Sequence, residues 1–550
     1  MKLNFKDLTE EQKKKITEIY TSDDLSWQDK ENALSAYTGR DARTVRGWCK
    51  KMKLTTGSGE PAEYEEAKKK KFDKKKKRFI ITWAQNNTPV HRKFLANIEK
   101  YAAEINADIH VIAGRYKNPT SIWTNGQQAE EKWSKYVKDY LDAGRHEVHK
   151  YMTIMSDIKI HPTATNPMSG LYGLSEENSC IFGSGKLQME MIPVLESAKP
   201  KMMLTTGACT VRNYTDSKSG KKAEFHHVLG FCIVEIKDKE TFFVRQVSAD
   251  ENGNFIDLYN EVVFEGELIL DPLGEYDIDK PYKLVGKTKI SRINEMEACV
   301  LGDLHVGHHD PKVIESTHAL LKKVKPKHVV LHDVFDGYSI SHHDEKDKIK
   351  QYSKEFHNKN DLNKELDEMF EVLTEFDKKY DSVIISRANH DDFADRWVIN
   401  QDWKKQSTPK NYKLYSMFMN MMLSEVEVNP NDPRGVIPML INQKLPNFKT
   451  LGRRDSFKIK GWEVGMHGDV GSNGSRGSHQ QYRKLNTKVI VGHYHSPQRK
   501  DGALAVGTST HLRVGYNSGP SSWLQSHVII HKNGKAQHIN FINGEFTTFE

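Results

Sequence analysis

Five times between Cys299 and His495, a short apolar run ends in residues that ligate metals or turn the chain sharply. Cys299 to Leu301 leads into Gly302-Asp303-Leu304-His305, and His328 to Leu331 leads into His332-Asp333-Val334-Phe335-Asp336-Gly337. Ser382 to Ser386 leads into Arg387-Ala388-Asn389-His390-Asp391, and Trp462 to Met466 leads into His467-Gly468-Asp469. Val489 to Val491 leads into Gly492-His493-Tyr494-His495. Runs of this length and composition read as buried strands. In open α/β sheets the strand ends share an edge, and polar sites gather there. The pattern confines the chain from about residue 290 to 550 to a layered α/β sheet in which strands and helices alternate. Its clearest helix is expected from Asp361 to Tyr380, with Leu362, Leu366, Met369, Phe370, Leu373 and Phe376 as the apolar stripe.

The residue types at those strand ends indicate the chemistry. Carboxylate, imidazole and amide oxygen together suit divalent Mn²⁺, Fe²⁺ or Zn²⁺, with Mg²⁺ also admissible, and no cysteine stands among them. Seven such groups are too many for one ion and suit two ions sharing a carboxylate. A lone D-x-H or G-H-x-H would say little; five blocks at successive strand ends say much more.

These blocks closely resemble the signature of the calcineurin-like metallophosphoesterases: D-x-H, G-D-x-x-[DNH], G-N-H-[DE], a lone H, and G-H-x-H. The resemblance covers about half the chain and implies two sheets flanked by helices. It also implies that Asp303, His305 and His495 hold one metal ion, Asn389, His467 and His493 a second, and that Asp333 bridges them. Mn²⁺ is the expected ion. His390 would be the general acid, with Asp391 beside it as its orienting group. Two positions depart from the signature: His332 and Ala388 stand where glycine is usual, adding a Cβ at tight turns. His308, His309, His342 and His343 are expected at the surface or facing substrate rather than on metal. Gly471 to Ser478, rich in glycine and serine, is either a flexible loop or a phosphate cradle offering backbone N–H groups and Arg476.

Upstream, residues 1–54 read as three short helices. Thr9 and Gln12 have capping-box spacing, and Asp41 is a plausible N-cap of the third helix. On that helix Val45, Trp48, Cys49 and Met52 share one face, while Arg43, Arg46 and Lys50 form a basic row opposite. The arrangement resembles a DNA-reading helix-turn-helix; a helical protein-docking module fits the same pattern. Residues 55–78 form a linker. From Lys68 to Arg78 it carries eight lysines and one arginine against Asp73 alone, which matches the +8 formal charge of all 550 residues. Such a block is either a solvated spacer or an arm, including Lys74 and Lys75, that displaces counterions from a polyanion. Residues 79–289 read as a mixed α/β accessory domain of open role. Strands are expected at Phe79–Trp83, Asp108–Ala113, Met202–Thr206, Val228–Ile236 and Thr241–Val247, with a helix from Arg92 to Ala103. The polar stretch Arg115 to Thr120 reads as rim.

Hydrophobic residues make up 37% and charged residues 28%, suited to soluble globular units. The apolar run Val228–Val234 is only strand length, and the charged N-terminus lacks a secretory h-region. The five scattered cysteines form no C-x-x-C pair, consistent with a reducing cytoplasm. Among metallophosphoesterase substrates, phosphoproteins are disfavoured because HDVFDGY and RANHDD lack the arginine and glutamate of the phosphoprotein phosphatase blocks. The look is closer to the SbcD-type DNA nuclease branch, whose members often assemble as dimers. A compact, lysine-rich chain with an unfamiliar centre further suggests a tailed-phage enzyme that degrades host DNA in the host cytoplasm. The expected partner is therefore DNA, with no membrane and with a homo-oligomer allowed. A phosphatase or phosphodiesterase acting on nucleotides or phosphoproteins is the alternative. A DNA-binding regulator with a degenerate fold is a third reading, disfavoured because no ligand position is vacant.

Overall fold

Residues 2–22, 27–52, 75–116, 118, 132–271, 278, 282–402 and 408–549 are described by the computed structural model, except for the side chains of Trp27, Gln28, Arg43, Arg46 and Lys50. The chain is a mixed α/β protein that divides into a small N-terminal unit and a large second unit. Among the described residues no helix is long and apolar enough to cross a membrane.

The N-terminal unit contains the three expected helices, Glu10–Thr21, Trp27–Thr38 and Ala42–Lys51. Thr9 and Gln12 form a reciprocal capping box, satisfying amides that the first turn leaves without partners. Asp41 accepts the Thr44 amide at 2.9 Å at the start of the third helix. Leu8, Ile16, Leu34, Val45, Trp48 and Cys49 make a small core, with Met52 against it.

In the large unit, a six-stranded sheet follows the order Lys449–Leu451, Val383–Ser386, Pro326–His332, Met296–Val300, Ser526–Ile530, Ala536–Asn540. Its first four strands are mutually parallel, so their C-terminal ends lie along one edge. Helices cover one face. Leu362–Lys379 buries all six residues of the expected stripe, and Asp361 caps it by accepting the Asn363 amide at 3.2 Å. The other face packs on a second sheet through Ala298, Val300, Val330 and Ile384 against Trp462, Val464, Ile490 and Leu504. In that second sheet Trp462–Glu463, Lys488–Val491 and Ala503–Ala505 are likewise parallel. Two sheets therefore bring two sets of strand ends together.

The second sheet does not stop at residue 290. Gln498–Lys500 pairs through Arg499 with Met189 of the strand Met189–Ile192, and the sheet continues through Lys201–Thr205, Ser179–Phe182, Met152–Met155 and Arg145–His149, ten strands in all. The expected accessory and catalytic segments, 79–289 and 290–550, thus share one sheet and fall in one packing unit. Lys500 and Glu190 form a further link at 2.7 Å. Arg78–Gln85, Asp108–Gly114, Gly230–Ile236 and Phe242–Ser248 form strands of a separate five-stranded sheet. Arg245 lies buried between Glu235 and Asp257, and Glu235 also accepts the Thr548 amide at 2.8 Å. The end of the chain is thereby tied to the central sheet. A buried guanidinium needs both carboxylates to offset its desolvation.

Candidate metal centre

Each of the five expected blocks lies just beyond a strand end. Asp303, Asp333 and Asn389 come from the six-stranded sheet; His467, His493 and His495 come from the facing sheet. His305 completes the group from the loop after Asp303. His495 Nε2 lies 3.0 Å from Asp303 Oδ2 and 3.0 Å from His305 Nε2. His305 Nε2 is in turn 3.3 Å from Asp333 Oδ2, and the same oxygen is 3.2 Å from His467 Nε2. Asn389 Oδ1 faces His467 Nε2 at 3.2 Å and His493 Nδ1 at 3.0 Å. The residues thus fall into two groups with Asp333 between them.

The backbone is bent to achieve this. His305, Asp333, His493 and His495 all have positive φ, between 40° and 74°, where a non-glycine side chain is strained. Strain of this kind persists only where surrounding structure enforces it, and it gathers at functional sites. Gly492 is needed for packing: a Cβ there would stand 2.3 Å from Asp303 Oδ1. Neither His332 nor Ala388 has positive φ, so the two departures from the signature place no Cβ in a left-handed turn. His332 is fully buried, with its ring 5.5 Å from that of His467.

The donor set fits cations. Asp303 Oδ1 and Asp333 Oδ1 are buried without a hydrogen-bond partner, a costly state for a carboxylate oxygen. Asp303, His305, Asp333 and His495 offer ligand atoms all within 4.8 Å of one another. Electrostatics point the same way. Burial opposes protonation of His305 and His467, but the surrounding carboxylates together outweigh it, Asp333 foremost, with Asp336 and Asp303 beside His305 and Asp303 and Asp469 beside His467, and both rise to about 9. Burial raises the Asp303 carboxyl, yet its bond to His495 and the nearby imidazole charges hold it at about 2. The pocket demands positive charge, and its converging nitrogen and oxygen lone pairs are ligands for divalent ions.

His390 lies against this centre, its ring 4.5 Å from that of His305 and perpendicular to it. Burial lowers its pKa, while the Asp333 and Asp336 carboxylates act in the opposite direction. Its Nδ1–H donates to the Asp336 carbonyl at 2.6 Å, which fixes the tautomer and leaves Nε2 for chemistry. Asp391, expected from the sequence to orient His390, makes no hydrogen bond to it. The Asp391 carboxylate instead accepts the Ala388 amide at 2.8 Å, bracing the turn that carries Asn389. Asp336 is the orienting residue that sequence reasoning missed, since its carboxylate also accepts His305 Nδ1–H at 3.0 Å. The only sequence signal for it was its place three residues after Asp333.

The expected substrate-contacting residues fare differently. In the glycine-rich loop, the Gly471 amide donates to Ser475 O and the Gly477 amide to Asp469 O, both at 2.7 Å, so these amides are not offered to a phosphate. Arg476 is exposed on the same loop. Lys75 is exposed ahead of the first central strand. Lys74 and the side chains of Arg43, Arg46 and Lys50 lie outside the described residues, as do residues 55–74 of the expected 55–78 linker and Lys117, Pro119 and Thr120 of the stretch Arg115 to Thr120. His342 and His343 pack on Phe393 at 4.9 and 5.7 Å, and Phe393 stacks on His390 at 4.6 Å. They border the centre without joining it.

Over 489 aligned residues the chain is 32% identical to Protein A1 of Escherichia phage T5, covering 86% of this chain and 83% of the relative. The chain belongs to the Protein A1 family. The phage kinship expected from the sequence is thereby met. No family model matches the chain, and no solved structure matches it.

Proposed function

We propose that this member of the Protein A1 family is a calcineurin-like, two-metal phosphoesterase that hydrolyses DNA phosphodiester bonds in the cytoplasm of the infected host. The observation that carries the reading is the convergence of two partnerless buried carboxylate oxygens, on Asp303 and Asp333, with four imidazoles and one amide oxygen. Asp303, His305 and His495 would hold one divalent ion and Asn389, His467 and His493 the other, with Asp333 shared; Mn²⁺ is the favoured ion. When bound, two such ions supply Lewis acidity toward a phosphate oxygen and toward a water nucleophile. The chain itself supplies the rest. In its imidazolium form, which the neighbouring Asp333 and Asp336 carboxylates favour, His390, held through Nδ1–H, would give its Nε2 proton to the departing alkoxide, a poor leaving group when unprotonated. Asp336 aligns both His390 and His305 from one side. Arg43, Arg46 and Lys50 on the third helix, Lys74 and Lys75 in the basic arm, and Arg476 on the glycine-rich loop would engage the DNA backbone.

The test is incubation of the purified full chain with circular and linear DNA, in Mn²⁺, in Mg²⁺ and in chelator. Metal-dependent cleavage is expected, abolished by chelator. Inert DNA beside rapid phosphate release from a nucleotide or phosphoprotein would replace this reading with that of a phosphatase.

A further inference from the structure

Beside the metal centre, on the side of His305 and His495, the loop from Leu512 to Trp523 presents two aromatic rings. Trp523 meets His495 edge-on, with ring centroids 4.1 Å apart. Tyr516 lies 5.9 Å from Trp523, 5.9 Å from His308 and 6.5 Å from His305, and it is 46% exposed. An exposed ring alone would mean little. Here two rings form a wall that begins at a ligand imidazole and ends in solvent.

The loop that carries them is built to hold its shape. Asn517 donates to Leu512 O at 2.9 Å and accepts the Val514 amide at 2.9 Å. Arg513 bonds Gly519 O at 2.8 Å and Val194 O at 3.2 Å. Val194 and Ser521 exchange both backbone hydrogen bonds at 2.9 Å. Ser522 contacts Ser496, and the Leu524 amide donates to His495 O at 3.1 Å. Val194, in the central segment of otherwise open role, thus helps to fix the wall against the metal centre. A fixed aromatic surface costs a ligand little ordering entropy.

We propose that Tyr516 and Trp523 are a stacking platform for a nucleobase adjoining the scissile phosphate, and that the substrate is therefore a strand whose base at that point is unpaired. The inference rests on the phosphodiesterase reading above and adds its substrate class. A base within duplex DNA has both faces covered by its neighbours, whereas an unpaired base offers a π-face to protein rings. A phosphoserine or phosphothreonine has no flat group to place there.

The test uses the full chain and single-stranded deoxyoligonucleotides with one cleavable linkage, flanked by either thymine or an abasic residue, on each side of the linkage in turn. For the wild type, kcat/KM should fall by roughly 10-fold or more when the base on one side is removed. Tyr516→Ala and Trp523→Ala should bring the thymine-to-abasic ratio close to one, while Tyr516→Phe and Trp523→Phe, which keep a ring, should preserve it. The wild type should also cleave the single strand more efficiently than the same sequence in duplex. A wild type indifferent to base loss on both sides would overturn the proposal. So would alanine variants that slow both substrates equally, which is the behaviour of residues that merely brace His495. Failure of the wild type to cleave any oligonucleotide while hydrolysing another phosphate ester would overturn the phosphodiesterase reading and this proposal with it.

Discussion

At the scale of single residues, the centre is a set of acceptors that cannot all be satisfied by protein. Asp333 Oδ2 already faces His305 and His467, yet Oδ1 is left buried and partnerless. His390 stands outside the seven expected ligands, and its Nδ1–H is committed to a carbonyl. His390→Ala should therefore retain bound metal and lower kcat on DNA by roughly 10²–10⁴-fold, the usual span for a lost general acid. Metal analysis and steady-state kinetics on one preparation check this; an unchanged kcat would remove His390 from the mechanism. The seven converging residues were legible in sequence because each block is local, a strand end followed by a loop. Asp336 was not, because its partners His305 and His390 are 31 and 54 residues away and its contacts exist only after the sheets have met. Asp391 misled for the opposite reason: adjacency in the chain is not adjacency of side chains at the start of a helix.

At the scale of elements, local periodicity read well and long-range pairing did not. The helix Leu362–Lys379 buries the stripe its spacing announces, since an i, i+4, i+7 pattern is a property of the helix alone. Arg78–Gln85, Asp108–Gly114 and Gly230–Ile236 likewise form where β-branched and aromatic residues cluster. Nothing local told that Lys500 would meet Glu190, 310 residues away, or that one sheet would cross residue 290. A protein starting at residue 290 would expose the strand Gln498–Lys500 as an unpaired edge and lose the residues that fix Trp523, and such edges invite association. It should aggregate or lack cooperative unfolding, as judged by size-exclusion chromatography and thermal melting. A monodisperse, cooperatively folded product would contradict the shared-sheet account.

For the whole molecule, acid should be destabilising for a reason independent of metal. His227, His479, His531 and His538 are buried on different elements, and burial depresses His227, His479 and His531 to about 4 and His538 to about 3. Above the ordinary value of 6.5 neither folded nor unfolded chain protonates these rings, and stability is fully present. Below it the unfolded chain takes up protons that the folded chain refuses, so stability falls from pH 6.5 toward about 4. Each group contributes about 1.4 kcal/mol per pH unit through that window. With chelator present, so that metal release plays no part, the thermal midpoint should drop steadily between those values. A flat profile would show that these rings protonate freely in the folded state.

The central claim is that seven side chains from two facing sheets hold a pair of divalent ions. Mn²⁺ content after equilibrium dialysis, measured by mass spectrometry on the wild type and on Asp333→Ala, tests it most directly. Two ions per wild-type chain are expected, with both lost or greatly weakened in the variant. One ion or none in the wild type, or an unchanged pair in Asp333→Ala, would contradict it.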